Sequence, residues 1–294
     1  MPSADKPTDS SFDDERAQDI SNASIFQDTL AEMTYPEIDA AIKRGAILLW
    51  GTGVIEQHGP HLPTGTDVYI PSARLRIVRK LLAREGIEAL IIPPFYWGVN
   101  FVSASFPATI KVRAEVMVEL MTDVMKSFAG DGARRLFCVS GHNDRAHNEA
   151  IVEAVRKGSA EGGLQACFIT EDVIVQRLGL SLDDPSVLPF PSVMQSKPGA
   201  FLDIHAGCWE TSVMLGYNPE VVREEKLPGL APTNLGLADL NEWRKGCDHA
   251  QRVTPLGYFG DPASSTADYG RYTMFKEAQA IAAALKARLA ASPG

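Results

Sequence analysis

The sequence predicts an α/β fold: a single-domain, three-layer α/β/α arrangement with a mainly parallel sheet between two layers of helices. The first observation behind this is rhythm. Short apolar runs alternate with amphipathic helical segments from residue 34 to residue 170. Strands that alternate with helices pair in parallel, through crossovers that are nearly always right-handed. The second is size. The 294 residues are 45% hydrophobic and 22% charged, which suits one large α/β domain or two small ones. No internal repeat and no shift in composition forces a boundary, so one domain is expected over residues 25–294.

Residues 1–24 are rich in Asp, Ser and Pro and poor in apolar residues, and are expected to be a disordered tail. The first helix is expected at Thr34, a suitable N-cap with Pro36 early in the helix and Glu37 three residues on. Gly45 ends it. "AILLWGTG" (46–53) reads as a buried strand. Residues 67–85 read as a helix with its apolar stripe at Leu75, Val78, Leu81 and Leu82. "EALIIPPF" (88–95) is a second strand, 112–132 an amphipathic helix closed by glycine, and "RRLFCVSGH" (134–142) a third strand. A helix over 145–161 and a strand over 165–170 follow. Residues 181–200 break the rhythm, and a long loop of this kind is expected to serve the site, for instance as a lid. Helices are expected again over 207–217 and, Ala- and Leu-rich, over 268–290.

Several function classes fall away. A net charge of −9 and a pI near 5.2 oppose nucleic-acid binding, which needs clustered cations. Cys138, Cys167, Cys208 and Cys247 are widely spaced, with no CxxC pair, so neither a zinc ribbon nor a disulfide framework is indicated. No apolar run reaches the length of a membrane span, and the polar N-terminus has no signal-type apolar region. A cytoplasmic protein is expected.

Chemistry gathers in three places. "GVIEQHGPHLPTGTDVYIP" (53–71) carries Glu56, His58, His61 and Asp67. "SGHND" carries His142 and Asp144. "DIHAGCWETS" carries Asp203, His205 and Glu210. The first two follow predicted strands and the third opens a helix-like segment. In open α/β sheets, ligands bind beyond the carboxyl ends of the strands. Imidazoles with carboxylates and no thiolate suit Zn²⁺, Mn²⁺ or Fe²⁺. Five or six such ligands exceed the needs of one tetrahedral zinc, which favours two ions bridged by a carboxylate such as Asp67. Two ions about 3.5–4 Å apart can share a hydroxide and polarise a carbonyl.

Plainer readings stand beside these. The 56–67 segment can be a polar, proline-stiffened loop. His61 can pin the turn or support a ligand, and His147 and His249 read as structural. Gly51, Gly53 and Gly59 match no phosphate-loop pattern. Asp203 can orient His205 or point away. Trp209 can face substrate or helix core.

"EQHGPHLPTGTD" resembles the signature of the creatininase (creatinine amidohydrolase) family. "LAEMTYPEIDAAIKRGAILLWGTGVIEQHGPHLP", "SGHND", "DIHAGCWETSVML" and "GYFGDPASSTADYGRYTMFKEA" resemble its further motifs in order, over residues 28–290. The resemblance implies two divalent ions per chain, zinc or manganese. Glu56 and His58 would each hold one ion and Asp67 would bridge them. His142 would join Glu56, and Asp144 or Glu210 would complete the second site. His205 would be the catalytic proton carrier. The resemblance also implies a homo-oligomer, often a hexamer.

The chain departs from the family pattern where "FVSASFPATI" puts Ser103 and Ala108 in place of a His and a Gly. It departs again where the 181–200 loop has Leu188 and Phe190 instead of tryptophans. Ser103, Trp209 and Phe201 are therefore expected on an altered substrate wall. The expected activity is metal-dependent hydrolysis of a C–N amide bond in a small, cyclic amide substrate. Deformylation of a formamide and cleavage of a short peptide are alternatives within the family. A non-catalytic metal-binding protein and an isomerase are alternatives outside it.

Overall fold

The computed structural model describes residues 24–192 and 202–291. Helix α1 (Tyr35–Lys43) leads into strand β1 (Ile47–Thr52). It starts as expected: the Thr34 N–H donates to Glu37 Oε2 at 2.7 Å. Gly45, at φ +90°, turns the chain out of it. Then come α2 (Thr66–Arg84), β2 (Ala89–Phe95), α3 (Ala114–Gly130), β3 (Arg135–Ser140), α4 (Arg145–Gly162) and β4 (Gln165–Glu171). The short α5 (Asp172–Arg177) and β5 (Val187–Phe190) follow. The rest comprises α6 (Cys208–Tyr217), α7 (Leu237–Trp243), α8 (Asp248–Val253) and α9 (Ala267–Ala291), with short 3₁₀ turns between.

The five strands form one sheet in the order β2-β1-β3-β4-β5, and every neighbouring pair is parallel. Side chains alternate across it. Ile47, Leu49, Phe137 and Val139 pack on one face with Leu75 and Val78 of α2 and Met274 and Ile281 of α9. Leu48, Trp50, Leu136 and Cys138 pack on the other with Met117 and Met121 of α3 and Ile151 and Val155 of α4. Helices therefore cover both faces, as the alternation predicted.

Two features differ from the sequence reading. β5 lies inside the stretch read as a break. It is four residues long with Pro189 in it, and an edge strand tolerates a proline that lacks an N–H. α5, α7 and α8 span only six or seven residues each, too few to show a helical period. α7 and α8 nevertheless carry a small separate core of Val102, Leu240, Trp243, Ala250 and Phe259. The expected tail at 1–23, Phe201, and residues 193–200 of the expected lid lie outside the described residues. No described helix is long and apolar enough to cross a membrane.

Candidate metal centre

The carboxyl ends of β1 and β3 converge on the first turn of α2. Gly53 follows β1 and Gly141 follows β3. A Cβ on Gly53 would lie 2.1 Å from the Asp67 carbonyl oxygen, and one on Gly141 2.2 Å from the same atom. Only glycine lets α2 come this close. Pro71, inside α2, has no N–H to offer the carbonyl four residues back, and that carbonyl belongs to Asp67. Gly53 and Gly141 thus make room for Asp67.

Three ligand types meet there. Glu56 and Asp67 are each 1% exposed, as is His58, and His142 is 7% exposed. His142 Nδ1 lies 2.9 Å from Glu56 Oε2 and 3.0 Å from Asp67 Oδ2. On the other side of Asp67, His58 Nε2 lies 3.3 Å from Oδ1 and 3.8 Å from Glu210 Oε2. The ligand atoms of Glu56, Asp67 and His142 fall within 4.8 Å of one another, and so do those of His58, Asp67 and Glu210. Glu56 Oε2, Asp67 Oδ2 and His58 Nε2 are buried, and these contacts lack hydrogen-bond geometry. Buried carboxylate oxygens in that state are costly unless a cation meets them. Bonds of about 2.0–2.2 Å to a divalent ion put neighbouring ligand atoms roughly 3 Å apart, so the spacing fits.

Other contacts aim these groups. The Glu56 carbonyl, which only accepts, lies 3.0 Å from His58 Nδ1; this keeps a proton on Nδ1 and leaves Nε2 for a cation. The Ala206 N–H donates to Glu210 Oε2 at 2.5 Å. Ser103 Oγ donates to Glu56 Oε1.

Charge follows geometry. Burial would lower His58, but Asp67, Glu210 and Glu56 outweigh it and hold the ring at about 10. His142 is likewise driven up, against burial, by Glu56 and Asp67. Burial would raise Asp67, yet His58 and His142 hold it far below the usual carboxylate range. Glu210 is pushed up to about 7 by burial, with the Asp67 charge adding to it. Without a cation, protons on the two histidines balance the carboxylates.

His205 closes the same site. Its ring centroid lies 4.3 Å from that of His58. Its backbone is pinned to Phe259 by a bridge in which the Phe259 N–H donates to its carbonyl at 2.7 Å. Nε2 lies 2.8 Å from the Gln57 carbonyl and 3.1 Å from the Gln57 amide nitrogen. The carbonyl contact is the shorter and can only accept, so the proton belongs on Nε2 and Nδ1 is the basic nitrogen. Burial, with the His58 charge, lowers this histidine to about 4.

The cluster opens into a cavity of ≈ 520 Å³ shared by Glu56, Asp67, His142, His205 and Glu210. Phe101, Val102, Ile204 and Trp243 give it an apolar wall, and Arg145, Arg177 and Arg244 also line it. Trp243, Arg177 and Arg244 stand in no recognisable motif, and the sequence reading gave Phe101, Val102, Ile204 and Arg145 no role. The first three end or follow short helices that carry no periodic signal, so the sequence reading missed them.

Several expectations are corrected. Asp144 lines the cavity but does not join the cluster. Its Oδ2 accepts the N–H groups of Phe101 and Val102 at 2.9 and 3.0 Å, and its Oδ1 accepts that of Ala146 at 2.9 Å; it caps α4. Ser103 is buried behind Glu56 and does not line the cavity. Trp209 lines a separate space of ≈ 40 Å³ with Arg74 and Glu277, and Arg74 lies 5.9 Å over its ring. Asp203 does not orient His205. Its oxygens accept the N–H groups of Cys208 and Trp209 at 2.8 and 2.9 Å, capping α6. His61 is buried, with Nε2 2.9 Å from Thr211 Oγ1. His147 accepts the Val99 N–H at 3.3 Å, and His249 pairs with Glu242 at 2.5 Å.

An α/β/α fold with buried carboxylates and imidazoles at its strand ends gathers ligand groups that could hold a metal ion. The chain matches the family described as "Creatininase: Creatinine amidohydrolase" over residues 31–285. It is 34% identical over 227 residues to the mycofactocin precursor peptide peptidase of Mycobacterium ulcerans (strain Agy99), covering 74% of this chain and 76% of that protein. It is 32% identical over 209 residues to the creatinine amidohydrolase of Pseudomonas putida, covering 68% and 74%. A solved structure, "Creatininase Mn", has the same fold with a TM-score of 0.68 at 22% identity, over 89% of this chain and 98% of that one. The chain belongs to the creatininase family, whose members are amidohydrolases. It is a hydrolase of carbon–nitrogen bonds.

Proposed function

We propose that this amidohydrolase cleaves a compact amide and holds two divalent ions, zinc or manganese, to do so. The carrying observation is Asp67, whose two oxygens face two different ligand groups. Glu56, Asp67 and His142 would hold one ion; His58, Asp67 and Glu210 the other, with Glu210 rather than Asp144 completing the second site. When bound, the ions would supply Lewis acidity and lower the pKa of water from 15.7 to roughly 7.

The chain's own groups then handle protons. Hydrolysis adds OH to the acyl carbon and H to the departing nitrogen. His205, neutral at pH 7, would take a proton at Nδ1 and pass it to that nitrogen, while the Gln57 carbonyl keeps Nε2–H in place. The apolar wall limits the water around the site. A cyclic amide fills only part of a cavity of ≈ 520 Å³, and this volume favours a second reading in which the end of a short peptide enters. Assembly as a homo-oligomer belongs to the same reading.

His205→Ala tests the proposal. It should keep the metal content of the wild type by elemental analysis and lower turnover of cyclic amides, N-formyl compounds or short peptides by about 10²-fold or more. Unchanged turnover would remove His205 from the mechanism.

A further inference from the structure

The cavity also holds guanidinium groups that make no ion pair among the described residues. Of its three arginines, Arg145 is matched by Glu149, Nε to Oε1 at 2.7 Å. The Asp144 carboxylate is already taken up by three backbone N–H groups. Arg177, half-buried, gives one N–H to the Asn143 carbonyl at 2.6 Å, and its Nε is buried without a partner. Arg244 is exposed, and its side chain makes no ion pair or hydrogen bond among the described residues. Burial and the like charges of Arg244 and Arg145 lower Arg177 below its usual range, although Asp144 and Glu171 pull the other way.

We propose that Arg177 and Arg244 form a subsite for a carboxylate carried by the amide substrate. This deepens, and rests on, the amide-hydrolase reading above. A guanidinium meets a carboxylate through paired, charge-assisted N–H bonds. Arg177 is suited to this because the Asn143 carbonyl fixes one end of its fork while the residue lines the cavity. Asn143 directly follows His142, so the turn that aims a metal ligand also anchors the arginine. That shared turn sets the span between cleavage point and anion. Phe101, Val102 and Trp243 line the same cavity and offer a surface for an apolar body. The substrate class is an N-acyl amino acid or the carboxyl-terminal residue of a short peptide, in which the amide lies one carbon from the carboxylate.

The test uses full-length, metal-loaded protein and two probes without an amide, 4-phenylbutyrate and its uncharged counterpart 4-phenylbutanol. Calorimetry should find the acid bound about tenfold more tightly or better. That preference should fall to about twofold or less in Arg244→Met and in Arg177→Met. Arg244 is exposed, so its variant should fold even if Arg177→Met does not, and Arg177→Lys keeps the charge while losing the fork. No preference in the wild type overturns the proposal. So does a preference that survives in folded Arg244→Met and Arg177→Lys, because the carboxylate would then bind at the carboxylate–imidazole centre. The hydrolase reading is judged separately, by acetate release from N-acetylphenylalanine and its carboxamide. Arginine-dependent binding without any release leaves the subsite and removes the hydrolase reading. Equal release from both compounds, independent of the arginines, does the reverse.

Discussion

The two walls of the cavity are anchored in different ways. Glu56 and His58 follow β1, His142 follows β3, and Asp67 opens α2 between two glycines that admit its backbone. Trp243 instead ends the seven-residue α7, Arg177 ends the six-residue α5, and Phe101 and Val102 lie in irregular chain. Ligand atoms must be held within about 0.5 Å, which strand ends and a packed helix can do. A wall that only has to fit a substrate tolerates looser support. The difference teaches where change is cheap: the carboxylate–imidazole half is locked to the sheet, while the apolar half can be rebuilt without touching it.

The strongest way to break this contrast is Asp67→Ala. If one carboxylate joins the two ligand groups, both ions should leave together and turnover should fall to background. Elemental analysis of protein purified without chelator reads this directly. One ion retained at full occupancy would mean two independent sites and no shared bridge.

A pair of variants separates a ligand from a cap. Glu210→Gln should remove one of two ions. Asp144→Asn should keep both and instead lower stability by about 1–3 kcal/mol, since a neutral amide cannot satisfy the three N–H groups that Asp144 accepts. Denaturant midpoints and metal content, measured on both, decide the assignment. The reverse pattern would restore Asp144 as the ligand.

The same contrast governs what could be read from the sequence. Glu56, His58, Asp67, His142, His205 and Glu210 lie in three short polar bursts, two after predicted strands and one opening a predicted helix, so their convergence on one cluster was legible. β1 to β4 were legible because parallel strands buried on both faces are continuous apolar runs. β5 was not, being short and interrupted by Pro189. Trp243, Arg177 and Arg244 reach the cavity through tertiary packing of elements too short to carry a period. Asp144 and Trp209 show the converse failure. Each stands beside a true cluster residue, yet a capping geometry in one case and the side of α6 that it occupies in the other direct them elsewhere.

Acid and base should act in opposite senses on the metal-free and metal-loaded protein. Without ions, His58 is held at about 10, above its unfolded value near 6.5. The fold then binds more protons than the unfolded chain between these values. Its stability is full below about pH 6.5 and falls as pH rises toward 10. Bound ions displace those protons, so the loaded protein should instead lose stability as pH drops below about 6, where protons compete for the imidazoles. Urea midpoints at pH 7 and 9 with chelator, and at pH 7 and 5 with metal, measure both slopes. Chelated protein that gains stability from pH 7 to 9 would show that the histidines are neutral without metal.

The smallest expected effect compares two tryptophans. Trp243 lies 5.9 Å from His205, ring to ring, and lines the cavity; its Nε1 donates to Thr254 Oγ1 at 3.0 Å. Trp209 lies under Arg74 in the smaller space behind. An aromatic contact is worth about 0.5–1.5 kcal/mol beyond its buried area, so Trp243→Phe should raise KM by roughly two- to tenfold with metal content unchanged. Trp209→Phe should leave KM as it is and show its effect in the thermal midpoint. If Trp209→Phe moved KM and Trp243→Phe did not, substrate would lie on the α6 side of the centre, and the apolar wall drawn from Phe101, Val102 and Trp243 would be the wrong one.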